Sequence, residues 1–424
     1  MKLYPHQEEA LRATADRNRV AYYHDMGLGK TFTGSEKMMQ LGARVNLIIC
    51  QKSKIKDWID HFEKYYPVIV WNLTNKKEFD DFKLFCIEGP THVAIINYEL
   101  AWRRPELAKL KDFTLMLDES SLIQNKTAKQ TKFIMNKLQP KNVILLSGTP
   151  CSGKYENLWT QAKLLGWDIS ESTYLDHYVN RKLMDFGGAK FWKVIGYKNI
   201  ERLKQKLRDY GSVFLKTEDV INLPSQTFTD VYVDPPKEYK KFMKEGIIQI
   251  DDMELIGDTQ LTKRLRARQI CSIHNKARYD AFLDLVESTN DRLIVFYNFK
   301  AEAQQLIRIA NEAGRPWAII SGDQKILAPY ENYDNSITFV QYQAGSKGLN
   351  LQKANKIIYF SLTEKCDDWM QSQKRIHRIG QDRPCFYYII KCRNTVEDRI
   401  HAALMRGEDF TDALFREEEM QYSR

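Results

Sequence analysis

The sequence predicts an α/β protein of two parallel-sheet lobes with helical extensions between them. Three observations lead to this prediction. Short apolar runs alternate with helical patterns in the first part of the chain, the same alternation begins again near Leu293, and the stretch between them is mostly helical in pattern. Strands that alternate with helices form parallel sheets with helices on both faces.

Length and composition agree with two lobes. The chain has 424 residues, more than one hydrophobic core usually supports. Hydrophobic residues make up 43% and charged residues 28%, which is the balance of a globular protein. The net charge of +9 fits a polyanionic partner, although an ordinary basic protein is an equal alternative. The seven cysteines form no C-x-x-C pair, so neither a zinc site nor a disulfide framework is expected.

Nothing in the sequence indicates a membrane protein. The N-terminus lacks the apolar core of a signal peptide. No apolar run approaches the roughly 18 residues that a membrane span requires. We therefore expect a cytoplasmic protein with no membrane partner.

The first lobe is expected over residues 1–222. Its strand predictions rest on short aliphatic runs bounded by polar turns. These runs are Val45–Cys50 and residues 93–97, 115–117 and 143–146. Residues 127–138 predict one of the intervening helices, and a helical extension is expected over about residues 155–222.

The second lobe is expected over residues 223–424, because Leu223-Pro224 interrupts the helical pattern. Its candidate strands are Leu293–Tyr297, Trp317–Ile320, Ile337–Gln341 and residues 357–360 and 386–390. A helical extension is expected over about residues 236–290, with helical patterns near 237–256 and 260–287.

A candidate phosphate loop follows the apolar-aromatic run at residues 20–23. Such a loop needs glycines for close backbone approach, a lysine for the phosphates and a hydroxyl for magnesium. Gly27, Gly29, Lys30 and Thr31 supply these parts. The full G-x-x-x-x-G-K-[ST] pattern is not met, because His24 stands at the first glycine position. A plain loop is therefore the alternative reading of this pattern alone.

Two further motifs end predicted strands. Asp118 and Glu119 follow one strand, where Asp118 could hold Mg²⁺ and Glu119 could polarise an attacking water. The alternative is an acidic cap on a strand end. Residues 146–150 (LSGTP) follow another strand and suit a tight turn beside a site, or simply a turn.

The fourth motif is basic and lies near the end of the chain. Residues 371–381 read QSQKRIHRIGQ. In a helix, Gln371, Arg375 and Arg378 would share one face. Two arginines on that face could reach a γ-phosphate presented by the other lobe and stabilise its charge in phosphoryl transfer. The alternative is a solvated basic helix.

In this order the motifs resemble those of superfamily II helicases, and more closely those of the Swi/Snf-like ATPases. The family's phosphate loop reads D-E-M-G-L-G-K-T, and residues 24–31 differ from it only at the first two positions. Residues 375–381 fit its R-x-H-R-x-G-Q, and residues 395–400 fit the T-[IV]-E-x-x-I that closes its second lobe. The resemblance extends over about residues 3–405.

The resemblance also implies roles for single residues. Residues 3–7 (LYPHQ) match the setting of the family's adenine-reading glutamine, which gives Gln7 that role. Residues 345–351 (GSKGLNL) match the motif that touches DNA phosphates and the nucleotide cleft. Gly345 and Gln371 are accordingly expected on the nucleotide. Ser120-Ser121 departs from the family, which often has a small residue and then histidine there.

The family implies two RecA-like lobes, with ATP and Mg²⁺ between them and DNA lying across both. Lys30 and Thr31 would hold the phosphates and the metal, with Asp118 supporting the metal. Arg375 and Arg378 would complete the site when the lobes close, so that hydrolysis drives stepping along DNA.

Motors of this kind hold the phosphate backbone and do not read bases. The side chains and glycines that match the family's DNA contacts are Lys52, Ser53, Asn97, Tyr98, Asn298, Lys300, Gly322 and Lys347. Ordinary solvent exposure is the alternative for each of them.

These motifs predict an ATP-dependent DNA translocase that acts on duplex or branched DNA, with a monomer as a plausible state. Its small size resembles motors of bacterial viruses, which favours a role in viral or bacterial replication, recombination or repair. The alternatives are a strand-separating or branch-migrating helicase and an inactive DNA-binding scaffold. Residues 190–193 (KFWK), beside Gly187-Gly188, are the candidate wedge for strand separation, or a local packing cluster.

Overall fold

The computed structural model describes residues 3–85, 89–151, 154–186, 189–220, 222–250, 253–342 and 350–407. The chain divides into two compact units, Met1–Asn222 and Leu223–Arg424. Each unit contains a seven-stranded, mostly parallel sheet accompanied by helices, which confirms the predicted α/β class. Each unit also contains a separate two-stranded antiparallel hairpin.

The first unit begins with a helix and then alternates strands and helices. Its elements are α1 Pro5–Ala13, β1 Arg19–His24, α2 Lys30–Leu41, β2 Val45–Cys50, α3 Ile55–Tyr65, β3 Ile69–Asn72, α4 Lys76–Phe85, β4 His92–Asn97, α5 Tyr98–Ala101, β5 Thr114–Asp118, α6 Lys129–Asn136, β6 Asn142–Leu146, α7 Trp159–Leu164, α8 Glu171–Tyr178, β7 Val179–Phe186, β8 Ala189–Tyr197, α9 Ile200–Asp209, β9 Ser212–Leu215 and α10 Thr217–Val220.

The first sheet has the strand order β3-β4-β2-β5-β6-β1-β9, and all neighbouring strands run parallel. Alternate side chains of β1 pack into hydrophobic cores on opposite faces of the sheet. Ala21 and Tyr23 pack into one cluster, whereas Val20 and Tyr22 pack into the other. Because both faces of the sheet are covered, its central strands are apolar at nearly every position.

The second unit begins with an edge strand of its sheet. Its elements are β10 Gln226–Val233, α11 Lys237–Glu245, β11 Ile247–Ile250, β12 Met253–Ile256, α12 Gln260–Ser272, α13 Lys276–Glu287, β13 Leu293–Tyr297, α14 Lys300–Glu312, β14 Trp317–Ile320, β15 Lys325–Ile326, α15 Ala328–Asn332, β16 Ile337–Gln341, β17 Lys356–Tyr359, α16 Cys366–Gln373, β18 Cys385–Cys392 and α17 Val396–Met405.

The second sheet has the order β10-β18-β17-β13-β16-β14-β15. Its strands are parallel except for the short β15, which pairs antiparallel with β14. A buried ion pair between Arg278 and Glu397 anchors the last helix against this core. Glu397 also accepts a hydrogen bond from the backbone N–H of Cys392, at 2.8 Å. Glu397 of the T-V-E motif therefore has a structural role.

All the strands predicted from apolar runs are present, which confirms the central part of each sheet. Four strands of the large sheets were missed, namely β3, β9, β10 and the two-residue β15. Each has half-buried or exposed positions, so its sequence lacks a buried apolar run. Among the described helices, none combines the length and apolarity needed to cross a bilayer.

The two helical extensions were only partly right, because each contains a hairpin. The helix expected over residues 237–256 ends at Glu245, where Gly246 takes a left-handed φ of 76°. An isoleucine-rich segment follows and forms β11, since β-branched residues favour extended backbone. In the first unit, β7 and β8 form the other hairpin, and Gly187-Gly188 lie outside the described residues.

Candidate functional site

The first unit collects its candidate residues at one edge of the sheet. β5, β6 and β1 are neighbours, and the loops that follow them leave from their carboxyl ends. Open parallel sheets bind ligands at this edge. A Cβ placed on Gly148, in the turn after β6, would lie 3.3 Å from Lys30 Nζ. The structure thus brings the candidate phosphate loop and the S-G-T-P turn into contact.

The loop between β1 and α2 curls around the ammonium group of Lys30. Gly27 and Gly29 have φ values of 89° and 73°, which L side chains rarely adopt. Lys30 Nζ donates hydrogen bonds to the backbone oxygens of His24 at 2.8 Å and Asp25 at 3.2 Å. The loop leads into the N-terminus of α2, whose backbone N–H groups and dipole attract anions.

Gln7 of α1 lies directly against this loop. Its Nε2 donates to the backbone oxygen of Gly29 at 3.0 Å, and its Oε1 accepts from Tyr4 N at 2.9 Å. A Cβ at Gly29 would approach Gln7 Nε2 to 2.2 Å, so a larger residue there would displace the Gln7 amide, and the left-handed φ favours glycine. Gln7 is only 2% exposed. α1 therefore fixes the position of the loop.

Asp118 ends β5 inside the unit. Trp58 Nε1 of α3 donates a hydrogen bond to Asp118 Oδ2 at 2.9 Å. Burial raises the pKa of Asp118, while the Trp58 indole and the positive charges of Lys54 and Lys30 act in the opposite direction. A divalent cation would stabilise the ionised carboxylate further. Sequence reasoning missed Trp58, because an aromatic residue on an amphipathic helix is normally a core residue.

Glu119 has a φ of 56°, a left-handed conformation that is uncommon for a non-glycine residue. Such strain is often found at functional sites. The hydroxyl of Tyr98 supports this turn by donating to the backbone oxygen of Asp118 at 2.9 Å.

The position of Tyr98 corrects one expected DNA contact. Its side chain is 1% exposed and points into the unit toward the acidic pair. A buried ring has no surface to offer to DNA.

Gln161 of α7 links three parts of this edge. Its Oε1 accepts hydrogen bonds from the hydroxyls of Ser120 at 2.7 Å and Tyr23 at 3.0 Å. Its Nε2 donates to the backbone oxygen of Pro150 at 2.8 Å. Ser120, which departs from the family pattern, thus connects the acidic motif to the S-G-T-P turn. Nothing in the sequence marks Gln161, since its partners lie far away in the chain.

The residues of this edge suit a nucleotide triphosphate with Mg²⁺. The glycine loop, the ammonium of Lys30 and the start of α2 fit phosphate oxygens. The hydroxyl of Thr31 in the first turn of α2 and the carboxylate of Asp118 are oxygen ligands of the kind that Mg²⁺ prefers.

The arginine segment of the second unit differs from its prediction. α16 ends at Gln373, and residues 374–380 form turns. The expectation that Gln371, Arg375 and Arg378 share one helical face is therefore wrong. The backbone instead joins a neighbouring segment, because the carbonyl of Arg375 accepts a hydrogen bond from Leu351 N at 3.1 Å.

Several contacts hold this arginine segment. Arg375 is buried, and the Arg378 guanidinium donates to the Asn350 side chain. Burial lowers the pKa of Arg378. His377 Nε2 lies 2.8 Å from the backbone oxygen of Pro224, and Gln381 Nε2 donates to Ala354 O at 2.8 Å. The segment is thus packed into the second unit and is not a solvated helix.

The expected DNA contacts of the first unit follow β2 and β4. Lys52 and Ser53 are exposed in a short 3-10 helix after β2. Asn97 ends the neighbouring β4 and pairs in register with Cys50. Its side chain is largely buried and donates to Glu99 at 2.7 Å. Lys52 and Ser53 therefore offer the accessible groups at this edge.

The expected contacts of the second unit follow β13 and β14. The Asn298 amide donates to Leu362 O and to Ser361 Oγ, both at 2.9 Å. Lys300 is exposed and forms an ion pair of 2.5 Å with Asp323. Gly322 is also exposed. Gly345 and Lys347 lie outside the described residues.

Among the described residues, one group of possible metal ligands lies in the core of the second unit. Cys271, Cys392 and Glu397 place one ligand atom each within 4.8 Å of one another in the second core. Arg278 already neutralises the Glu397 carboxylate there, so a cation would meet a positive charge.

Comparison with protein-family models gives two adjoining matches. A model described as the SNF2-related domain matches residues 6–280. A model of the helicase conserved C-terminal domain matches residues 277–380. Together they extend from α1 to the arginine segment.

Curated relatives are similar over most of this chain. They include an uncharacterized ATP-dependent helicase of Mycoplasma pneumoniae, which is 24% identical over 89% of this chain and 38% of its own length. The Drosophila melanogaster SWI/SNF-related matrix-associated actin-dependent regulator of chromatin subfamily A-like protein 1 is 23% identical over 96% and 55%. The mouse DNA annealing helicase and endonuclease ZRANB3 is 23% identical over 99% and 41%.

The chain therefore spans about 38–55% of the length of these relatives. Among solved structures, the Sulfolobus solfataricus SWI2/SNF2 ATPase core in complex with dsDNA aligns with a TM-score of 0.45 and 19% identity. That alignment covers 100% of this chain and 94% of the other.

Proposed function

Because the chain belongs to the SNF2-related family and is an ATPase of the helicase class, we propose that it couples ATP hydrolysis to movement along duplex DNA. The observation that carries the proposal is the edge of the first sheet. Lys30, Asp118 and Glu119 lie there with a loop whose left-handed φ values favour glycine. These are the parts that phosphoryl transfer from ATP requires.

We assign the roles at this edge as follows. Gly27, Gly29 and the N-terminus of α2 receive the phosphates, and Lys30 exchanges its loop carbonyls for phosphate oxygens. Thr31 and Asp118 would hold Mg²⁺, which would neutralise phosphate charge when bound. Glu119 orients the attacking water, and Gln7 contacts adenine while fixing the loop.

The second unit would supply the remaining groups for ATP. Arg375 and Arg378 stabilise the charge that develops on the γ-phosphate, and Gly345 and Gln371 contact the nucleotide. Arg378 would exchange the neutral Asn350 side chain for a phosphate, a partner with which it forms a stronger, charge-assisted bond. Hydrolysis would then depend on both units.

DNA would be held by its phosphates. In the first unit we propose Lys52 and Ser53 as contacts, and we propose neither Asn97 nor Tyr98, because both of these side chains are buried. In the second unit the corresponding groups are Asn298, Lys300, Gly322 and Lys347. Binding to phosphates releases counterions, so affinity should fall steeply with salt.

We place this motor in viral or bacterial DNA replication, recombination or repair. A second candidate function is strand separation or branch migration, and the observation that favours it is the exposed aromatic hairpin of β7 and β8. An inactive scaffold is disfavoured, because such a protein has no need of the complete set of phosphate-loop, acidic and arginine residues.

Steady-state ATP hydrolysis tests the proposal. We expect strong stimulation by duplex or branched DNA, and its loss in Glu119→Gln. The matched control is Glu245→Gln, an exposed glutamate that ends α11, which should keep wild-type activity. Stimulation by single strands alone would favour the strand-separating alternative. Absence of hydrolysis with every DNA would contradict the proposal.

A further inference from the structure

The hairpin of β7 and β8 displays large apolar side chains to solvent. Its two strands pair only with each other among the described residues. Phe191 and Trp192 are 50% and 59% exposed, and Leu183 and Ile195 are exposed as well. Isolated two-stranded hairpins are only marginally stable in water. Apolar exposure on such an element indicates a binding surface.

The pairing register places the two aromatic residues on opposite faces. Trp192 pairs with Leu183, and Phe191 pairs with Met184. Because successive side chains of a strand alternate, each face of the hairpin carries one exposed aromatic ring. A hairpin that packs against a single partner surface would need the apolar side chains on one face only.

The same register brings two lysines together. Lys182 and Lys193 are exposed cross-strand partners on the face of Phe191. Like charges directly opposite each other destabilise a sheet. Over the part of the chain that the structure describes, neither lysine forms an ion pair with a carboxylate. An anion bound across the pair would relieve the repulsion, and residues 179–197 contain four basic side chains against one acidic side chain.

The face of Trp192 adjoins a concave site. A cavity of about 390 Å³ is lined by Trp192, Ile195 and Asn180 among other residues. The Arg181 guanidinium lies 5.2 Å from the centre of the Trp192 ring and is held by Asp176 at 2.6 Å. A flat ring beside an amide and a cation offers stacking, hydrogen bonding and phosphate contact together.

We propose that the β7–β8 hairpin binds the unpaired nucleotides of forked or branched DNA. Phe191 and Trp192 stack on exposed bases, while Lys182, Lys193 and Arg181 contact phosphates. Paired bases inside a duplex have no free face for stacking, so the hairpin discriminates unpaired from paired DNA. Aromatic rings on both faces suit a branch point, where two unpaired strands diverge. The inference rests on the proposed function for its choice of DNA as the partner.

The decisive experiment measures fluorescence anisotropy of a labelled single strand, fork and duplex with the full chain. Phe191→Ser/Trp192→Ser should bind the single strand and the fork about tenfold or more weakly, since each stacked base contributes substantially. Its affinity for the duplex should stay at the wild-type value. Tyr333→Ser, which removes an exposed ring in the second unit, is the matched control.

A second pair of variants tests the stacking chemistry directly. Trp192→Tyr should retain the preference for unpaired DNA, whereas Trp192→Leu should lose it although it remains apolar. Because Trp192 is mostly exposed, both variants should unfold at the wild-type temperature. Equal binding of the single strand and the fork by Trp192→Leu and wild type would overturn the stacking role of Trp192.

A charge-reversal variant tests the contribution of Lys182 and Lys193 to DNA binding. Lys182→Glu/Lys193→Glu should weaken fork binding and reduce its salt dependence by about two counterions. Lys241→Glu/Lys244→Glu, on an exposed part of α11, is the charge-matched control.

The outcomes separate this inference from the proposed function. Duplex-stimulated ATP hydrolysis tests the motor and does not require the hairpin. Selective loss of fork and single-strand binding in Phe191→Ser/Trp192→Ser would support the inference even if the chain failed to hydrolyse ATP. Unchanged binding, or an equal loss on all three DNAs, would overturn it.

Discussion

The two units share one architecture but carry different chemistry at the carboxyl edges of their sheets. In the first unit, internal hydrogen bonds hold the ammonium of Lys30 at the start of α2 and the carboxylate of Asp118 at the end of β5, and Glu119 follows directly. In the second unit, an amide joins the end of β16 to the segment that follows β13. Gln341 Nε2 donates to the backbone oxygen of Asn298 at 3.1 Å.

This difference indicates a division of labour between similar sheets. Charges that are partly removed from water interact strongly with a phosphate and with a metal ion. Neutral amides and exposed lysines position a backbone without fixing its sequence. We therefore propose that the first unit supplies groups for hydrolysis, and that the second supplies groups for holding DNA together with the two arginines.

The largest expected effect comes from removing an arginine of the second unit. We expect Arg378→Ala to lower kcat by about 1,000-fold, because arginine groups stabilise the charge of phosphoryl transfer. Binding of a fluorescent ATP analogue should persist, since the phosphate loop lies in the first unit. Arg308→Ala, at an exposed pair with Glu312 on α14, is the control. A kcat of Arg378→Ala close to the wild-type value would contradict the proposal that the second unit supplies arginines for hydrolysis.

The next effect concerns stability of the second unit alone. Arg278→Met leaves Glu397 as a buried charge without its partner, which should lower the free energy of unfolding by about 3–5 kcal/mol. Denaturant unfolding should show this change in the second unit only. Arg278→Met/Glu397→Leu removes both charges and should recover most of the loss. Equal instability of the single and double variants would mean that packing, and not charge, dominates.

A pH effect is expected in the first unit. Burial lowers the pKa of His24 to about 3, with nearby Lys30 and His6 acting in the same direction. In the unfolded chain its pKa is about 6.5. Below that pH the unfolded state binds a proton that the folded state does not, so stability is complete above pH 6.5 and falls as the pH is lowered.

Between the unfolded and folded pKa values of His24, the free energy of unfolding should fall by about 1.4 kcal/mol for each unit by which the pH is lowered. Urea unfolding at several pH values should give a shallower slope for His24→Asn than for wild type. His177→Asn, at an exposed histidine, should keep the wild-type slope. Identical slopes for all three proteins would show that folding does not lower the pKa of His24.

The smallest effect tests the connection through Gln161. Ser120→Ala removes one of its hydrogen bonds, which is typically worth about 1 kcal/mol. We expect a several-fold lower kcat with DNA and a much smaller change without it, because the acidic motif loses its link to the S-G-T-P turn. Ser121→Ala is the neighbouring control. An equal loss with and without DNA would assign Ser120 a purely structural role.

The sequence predicted those parts of the fold that are buried on both faces. β2 and β13 match their apolar runs residue for residue. The edge strand β10 was missed because most of its side chains are exposed. The β11–β12 hairpin was taken for helix, and the β7–β8 hairpin was missed within the expected helical extension. Hydrophobic patterns do not predict the secondary structure of a segment that packs against few other residues.

The candidate site shows the same limit. Lys30, Asp118 and Glu119 stand in short motifs and were found, whereas Trp58 and Gln161 act through contacts made only in the folded chain. The burial of Tyr98 could not be read from its place after a strand. The turn at residues 374–380 depends on backbone pairing with Leu351, a distant segment.

Displacement of a third DNA strand tests the central claim most directly. A labelled oligonucleotide bound to a duplex as a triplex reports movement along intact double-stranded DNA without requiring strand separation. The account predicts that the wild-type chain releases the third strand with ATP, and that Glu119→Gln or a non-hydrolysable analogue prevents release. DNA-stimulated hydrolysis without any release would contradict the claim that hydrolysis drives movement along duplex DNA.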